Sequence, residues 1–247
     1  MTNRGAKDRS EPAGYVPRPS ARGFSLVIFD CDGVLIDSEI ISARMLIAEL
    51  AKLGLSIDMD YVTRHFLGRS YPTVIRQVRA EFGIDLPESF EARYRESLLE
   101  AFRSGLRIVP HVRAVLERIG VPFCVATSSS PRRADMSLDL VGLRGLVGDR
   151  LFTSSQVARG KPEPDLFLHA AAAMGVDPVR TLVIEDSLTG IRAGLAAGMT
   201  VWRFVGASHL GPDTPEEPEG ARPHRRLVSF ENFFQIAPDL KKDERSA

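Results

Sequence analysis

Phe24-Ser25-Leu26-Val27-Ile28-Phe29-Asp30-Cys31-Asp32-Gly33 is the stretch on which the reading of the whole chain turns. Up to Phe29 it is apolar but for one serine, and Val27 and Ile28 are β-branched. That is the pattern of a strand buried on both faces. The run then breaks at once into two aspartates and a glycine, so the strand ends in charge. Working outward, 121–127, 151–154, 181–186 and 200–205 are similar short runs, separated by helical patterns at 111–119, 131–141, 165–174 and 188–197. Strands alternating with helices of this length predict an α/β fold with a doubly wound, Rossmann-like parallel sheet and helices on both faces.

The stretch 38–105 breaks that rhythm. It holds helical patterns at 39–53, 61–67, 72–82 and 88–104 and no convincing strand. The expected organisation is a flexible leader over 1–23, an α/β core domain over 24–37 and 106–247, and a small helical cap domain over 38–105 inserted after the first strand. Within the core, 206–226 turns to Pro, Glu and Gly and reads as irregular surface, after which 227–240 returns to the core.

Lys+Arg and Asp+Glu are both 32 in 247 residues, so the formal net charge is zero. A dedicated nucleic-acid or membrane-surface binder is therefore not expected. No stretch approaches the roughly 18 apolar residues of a membrane span, and 1–23 lack the apolar centre of a secretory signal. Cys31 and Cys124 lie inside apolar runs and read as buried thiols of a reduced, cytoplasmic protein.

In an open parallel sheet, ligands bind at the carboxyl ends of the strands. Here those ends carry Asp30, Asp32 and Gly33; Thr127, Ser128, Ser129 and Ser130; the Gly160-Lys161-Pro162 loop; and Glu185 with Asp186. Taken singly, each has a plain structural reading: Asp30 as a turn former, the serines as helix caps, Lys161 as a solvated loop lysine, Glu185 and Asp186 as an exposed cap. Taken together, they bring carboxylates, a lysine and hydroxyls to one edge, a composition that holds a phosphate beside a hard cation. Pro162 keeps Lys161 out of the helical region and Pro164 suits the first turn of the next helix, so the charge sits on a fixed arm.

Four segments in this order, with a helical insertion after the first, resemble the haloacid dehalogenase-like hydrolase superfamily in its β-phosphoglucomutase-like and sugar-phosphatase branch. They are Phe29-Asp30-Cys31-Asp32-Gly33-Val34, Val125-Ala126-Thr127-Ser128-Ser129, Gly160-Lys161-Pro162-Glu163-Pro164-Asp165 and Val183-Ile184-Glu185-Asp186-Ser187. The resemblance runs over 24–204. It implies that Asp30 attacks phosphorus to form an aspartyl-phosphate. It implies that Asp32 protonates the leaving alcohol and then deprotonates the hydrolytic water. Mg2+ is expected on the Asp30 carboxylate, the Asp32 carbonyl and Asp186, with Glu185 bound directly or one layer out. Lys161 lets the anionic nucleophile approach an anionic phosphate. Thr127, Ser128 and Ser129 are expected on the phosphate oxygens, at the N-terminus of the helix that starts near Pro131, and Gly33 allows close backbone approach.

Single positions separate the relatives. Dehalogenases and phosphonate-cleaving members lack the second aspartate, which this chain has as Asp32. Phosphomutases of the branch carry a histidine twelve residues past the nucleophile, where this chain has Ser42, and an arginine where it has Tyr71. The expected activity is a Mg2+-dependent phosphatase acting on a small phosphorylated metabolite, a sugar phosphate or phosphorylated sugar acid. A phosphomutase is the alternative and a non-catalytic binding module a third reading. No nucleic-acid or membrane partner is expected, and a monomer or small homo-oligomer suffices. Arg69, in Leu67-Gly68-Arg69-Ser70, is the candidate cap contact to substrate, followed by Arg93 and Arg95. His209 follows the fifth strand and is placed to face the cleft. His111 stands where relatives more often carry glycine.

Overall fold

The first strand, β1 (Leu26–Phe29), is buried along its whole length. Val27 and Phe29 face one apolar layer and Leu26 and Ile28 the other, which is why the sequence shows no alternation there. Each such side chain contributes about 1.5–3 kcal/mol through burial. The computed structural model describes residues 23–66, 71–211 and 214–242. The leader expected over 1–23 lies outside them except for Gly23.

Five further strands follow: β2 (Phe123–Thr127), β3 (Leu151–Thr153), β4 (Thr181–Glu185), β5 (Thr200–Phe204) and β6 (Arg225–Leu227). They form one six-stranded sheet in the order β3-β2-β1-β4-β5-β6, with every pair parallel. The chain winds one way from β1 through β2 and β3, then crosses back to build β4, β5 and β6 on the other side. β1 therefore lies where the winding reverses, and such sheets bind ligands in the crevice at the carboxyl ends there. Ile28 is in register with Cys124 on one side and Val183 on the other.

Between β1 and β2 the chain is helical: α1 (Glu39–Ala51), α2 (Met59–His65), α3 (Tyr71–Phe82) and α4 (Ser89–Gly105). Leu46, Leu50, Val62, Val78 and Phe90 give this segment a core of its own. Leu98, Leu99 and Phe102, further along α4, join the layer beneath β1 instead. The remaining helices, α5 (Val112–Arg118), α6 (Pro131–Leu140), α7 (Arg144–Val147), α8 (Asp165–Ala173), α9 (Leu188–Ala196) and α10 (Phe233–Ile236), pack around the sheet.

Two elements depart from the sequence reading. The segment read as irregular up to 226 already contains β6, a short edge strand whose sequence, Arg-Arg-Leu, carries little β signal. Its side chains are held from outside the strand, with Arg226 Nε donating to Glu217 at 2.9 Å and the Arg225 guanidinium 5.2 Å from the Trp202 ring centroid. The one-turn helix α7 was not anticipated either.

His111 has φ +65°, the only positive φ at a non-glycine among the described residues. This left-handed backbone, at the entry to α5, is the conformation that favours glycine. The side chain is exposed, so its removal forfeits no packing. His111→Gly is expected to stabilise the protein by up to about 1 kcal/mol, since the relief of roughly 1–2 kcal/mol of strain exceeds the extra chain entropy glycine adds to the unfolded state. Urea titration reads this as a higher midpoint at unchanged slope.

Candidate active site

The carboxyl ends of β1, β2 and β4 converge on one ammonium group. Lys161 reaches in from the loop after β3, with its Nζ 2.5 Å from Asp30 Oδ1, 2.7 Å from Glu185 Oε1 and 3.0 Å from the Ala126 carbonyl oxygen. Its side chain is 3% exposed and lies over the Phe167 ring of α8. The Lys161–Pro162 peptide is cis. Glu185 is held from its other oxygen by the Ser187 N–H at 2.7 Å and the Ser187 hydroxyl at 3.0 Å, at the start of α9.

Two glycines make this crowding possible. A Cβ on Gly190 would stand 1.7 Å from Glu185 Oε1, and one on Gly33, whose φ is +77°, would stand 2.1 Å from Asp186 Oδ2. Asp186 is braced from behind. Its carboxylate lies 3.0 Å from His209 Nε2, and its carbonyl accepts from Arg203 Nε, also at 3.0 Å. His209 thus backs Asp186 and does not line the cleft as the sequence reading placed it.

Asp32 is held by three donors. Ser38 Oγ and Arg133 Nη2 donate to Oδ1, and Ser129 Oγ donates to Oδ2, each at 2.6 Å. Thr127, at the end of β2, accepts the Ser129 N–H at 3.1 Å. Ser128 is exposed at the start of α6. Arg133 and Ser38 were missed in the sequence. The first looks like a surface residue of α6 and the second like an ordinary helix cap.

The charge balance leaves the carboxylates under strain. Burial, with Glu185, Asp186 and Asp32 nearby, pushes the Asp30 carboxyl well above its usual range despite Lys161. Burial and Glu185 raise Asp186 likewise. Burial would also raise Asp32, but the Arg133 charge and the bonds from Ser129, Ser38 and Arg133 outweigh it and hold that carboxyl low. Glu39, at the start of α1, is pushed up to about 7 by burial and by Asp32 and Asp186. Oxygens of Asp30, Glu185 and Asp186 lie within 4.8 Å of one another, all three residues being buried. A compact set of hard oxygen donors with excess negative charge fits a hard divalent cation.

Above this edge the helical segment closes a cleft of about 480 Å³. The sheet side contributes Asp30, Asp32, Thr127, Lys161 and Asp186, and the helices contribute Glu39, Ser42, Phe66, Tyr94, Arg95 and Leu98. Arg69 lies outside the described residues. Arg95 reaches the cleft, but its guanidinium is engaged by Glu91 at 2.8 Å. Arg93 does not reach it and borders a surface groove with Glu49 and Lys52 instead.

The sequence profile of the haloacid dehalogenase-like hydrolases matches residues 24–198. The chain belongs to that family. It is 30% identical over 217 residues to a 6-phosphogluconate phosphatase of Escherichia coli (strain K12), covering 87% of this chain and 94% of the relative. A conserved haloacid dehalogenase-like protein of unknown function from Agrobacterium tumefaciens str. C58 is 35% identical and superposes with TM-score 0.77 over 88% of this chain and 99% of that one. A family hydrolase from Deinococcus radiodurans R1, solved with bound phosphate and sodium, is 32% identical, with TM-score 0.69 over 88% and 96% of the two chains. This haloacid dehalogenase-like protein is a phosphatase, a hydrolase of phosphoric monoesters.

The raised carboxyls give this hydrolase a testable pH dependence. Asp30, Asp186 and Glu39 bind protons more tightly in the folded chain than when unfolded, so the stability gained by protonating them is complete at low pH. It is lost as pH rises from the free values of 3.8 and 4.5 through about 7, where Glu39 ionises. His209, lowered by burial, runs the other way below its free value of 6.5, one group against three. The melting temperature of the metal-free protein should therefore fall by more than about 3 °C between about pH 5 and 7.5. Added Mg2+ should flatten that fall, because a bound cation favours the ionised carboxylates.

Proposed function

We propose that the protein is a Mg2+-dependent phosphatase of a small sugar phosphate or phosphorylated sugar acid, with Asp30 as nucleophile. The observation that carries this reading is the Lys161 ammonium 2.5 Å from Asp30, beside the buried Asp30, Glu185 and Asp186 oxygens on the floor of the cleft. Mg2+, when bound, would neutralise the phosphate and the nucleophile together; Asp30, Asp186 and the Asp32 carbonyl are the groups to hold it, with Glu185 beside them, directly or one layer out. The likeness to a 6-phosphogluconate phosphatase supports a phosphorylated sugar acid as the first substrate to test.

The rest is the work of the chain itself. One Asp30 oxygen attacks phosphorus, and the ester P–O bond breaks as Asp32, in the fraction of chains where it carries a proton against the hold of Arg133, gives that proton to the leaving oxygen. Asp32 then takes a proton from the water that attacks the aspartyl-phosphate, which frees inorganic phosphate and restores Asp30. Lys161 offsets the repulsion between nucleophile and phosphate. Thr127 Oγ1 already accepts from Ser129 N–H, so its own O–H is left to donate to a phosphate oxygen. Ser128 N–H and Ser129 line the same turn, and Gly33 keeps the backbone close to Asp186.

The phosphomutase alternative is disfavoured by the surroundings of Ser42. Its hydroxyl donates to the Ser38 carbonyl at 3.0 Å and lies 3.3 Å from Arg133 Nη2, so an imidazole in its place would displace that guanidinium.

Asp30→Asn should leave the fold intact and remove turnover of 6-phosphogluconate, since an amide is no nucleophile. Near-normal kcat in that variant would sink the covalent route. In the wild type, EDTA should stop phosphate release and Mg2+ restore it. β-Glucose 1-phosphate with a trace of the 1,6-bisphosphate should yield phosphate or nothing. Glucose 6-phosphate formed without phosphate release would make the protein a mutase.

A further inference from the structure

Among the described residues Arg133 is the one cation that touches Asp32, and it belongs to none of the sequence motifs. It projects from α6 on the sheet side, yet much of its anchoring comes from the helical segment. Its guanidinium lies 5.4 Å from the ring centroid of Phe102 on α4, and Nη2 reaches Ser42 on α1 at 3.3 Å. The same Nη2 donates to Asp32 Oδ1 at 2.6 Å. Ser38 Oγ donates to that oxygen too, and Ser42 Oγ donates to the Ser38 carbonyl. Asp32, Ser38, Ser42 and Arg133 therefore form a closed ring of contacts with members on both sides of the cleft.

A proton donor works only when its oxygen stands within hydrogen-bond reach of the atom it protonates. Of the three donors on Asp32, Ser129 comes from the sheet side and Ser38 from the first turn toward α1. Arg133 alone is charged and is packed against a ring of α4. Its Nε is buried without a hydrogen-bond partner among the described residues, and its shortest contact is the one to Asp32. By contrast Arg132, its neighbour on α6, is 71% exposed and meets Glu96 only at 3.5 Å.

We propose that Arg133 is a positioning residue that sets the Asp32 carboxyl against the leaving-group oxygen and makes that placement depend on the seating of α1 and α4 over the cleft. The inference rests on the phosphatase reading and on Asp32 as its proton donor. It assigns Arg133 no contact with the reacting atoms. What it predicts is selective damage to substrates whose leaving group needs a proton, and this against the direct effect of removing the guanidinium, which lets the Asp32 carboxyl take up its proton more readily and by itself would favour those substrates.

The test is kcat/KM with phenyl phosphate and 4-nitrophenyl phosphate in Mg2+ buffer, for wild type, Asp32→Asn, Arg133→Met and Arg133→Lys. This parameter covers the steps up to release of the phenol and so isolates protonation of the leaving oxygen. Phenoxide is the poorer leaving group and depends on the donor, whereas 4-nitrophenoxide departs largely unaided. Arg133→Met should lose at least about tenfold more on phenyl phosphate than on 4-nitrophenyl phosphate, with Asp32→Asn changing in the same direction and further. Arg133→Lys keeps the charge but cannot keep both contacts and should fall between, and it carries the reading if the Met variant does not fold. Equal losses on both substrates, a change in KM alone, or a shift favouring phenyl phosphate would overturn the proposal. A wild type inactive on both esters, or an Asp32→Asn variant without the selectivity, would instead overturn the reading beneath it.

Discussion

The contact between the Lys161 ammonium and the carboxylates of Asp30 and Glu185 is the constraint from which the site is built. Lys161 also donates to the Ala126 carbonyl, so one side chain ties the ends of β1, β2 and β4 to the loop that follows β3. An ammonium with 3% exposure is tolerable only with such partners, and a carboxylate left buried without its cation costs about 3–5 kcal/mol. The dependence runs onward. Glu185 keeps one oxygen for Lys161 because its other oxygen is taken by Ser187, and its carboxylate can lie there because Gly190 has no side chain. The same turn delivers Asp186 against Gly33.

The arrangement is poor as a device for stability. Asp30 and Asp186 are both pushed upward, and replacing such a cluster with apolar groups would relieve the fold. A chain that retains buried like charges at the crevice of its sheet retains them for chemistry. Donors fixed in advance need not reorganise when charge moves between nucleophile, phosphorus and leaving oxygen, which is where preorganised electrostatics has its largest effect.

Much of this was legible in the sequence, and the physics explains which part. β1 is covered on both faces, so its apolar run carries no period and stops abruptly where the chain leaves the sheet at Asp30. The remaining strands of the motifs repeat that logic, and their polar ends fall together because a parallel sheet puts all carboxyl ends at one edge. Arg133 was illegible for the complementary reason. Arg132 and Arg133 are adjacent and identical, yet one side chain is 71% exposed and the other 21%. What separates them is the Phe102 ring on α4, which no local pattern reveals. β6 was lost similarly, since an edge strand of two arginines and a leucine is recognised by pairing with β5 and not by its composition. His111 could be seen as a departure from relatives, and its left-handed backbone supplies the physical meaning.

The helical segment is joined to the sheet at a single place, and this gives its side-chain contacts unusual weight. The two connecting strands of chain run side by side: Ile36 bridges Ile108 in antiparallel fashion, and the Asp37 N–H donates to the Arg107 carbonyl at 2.9 Å. A segment tethered at one point has its tilt over the cleft set by whatever it touches beyond the tether. The Arg132–Glu96 pair is solvent-exposed and contributes little. Burial of Leu98, Leu99 and Phe102 provides most of the energy, but apolar packing is non-directional. Direction must come from polar contacts of fixed geometry, and here those are the bonds that join Arg133 to Ser42 and Asp32. Arg133 thus belongs both to the contacts that orient the cover of the cleft and to those that hold Asp32, while Ser129 holds Asp32 from the sheet side alone.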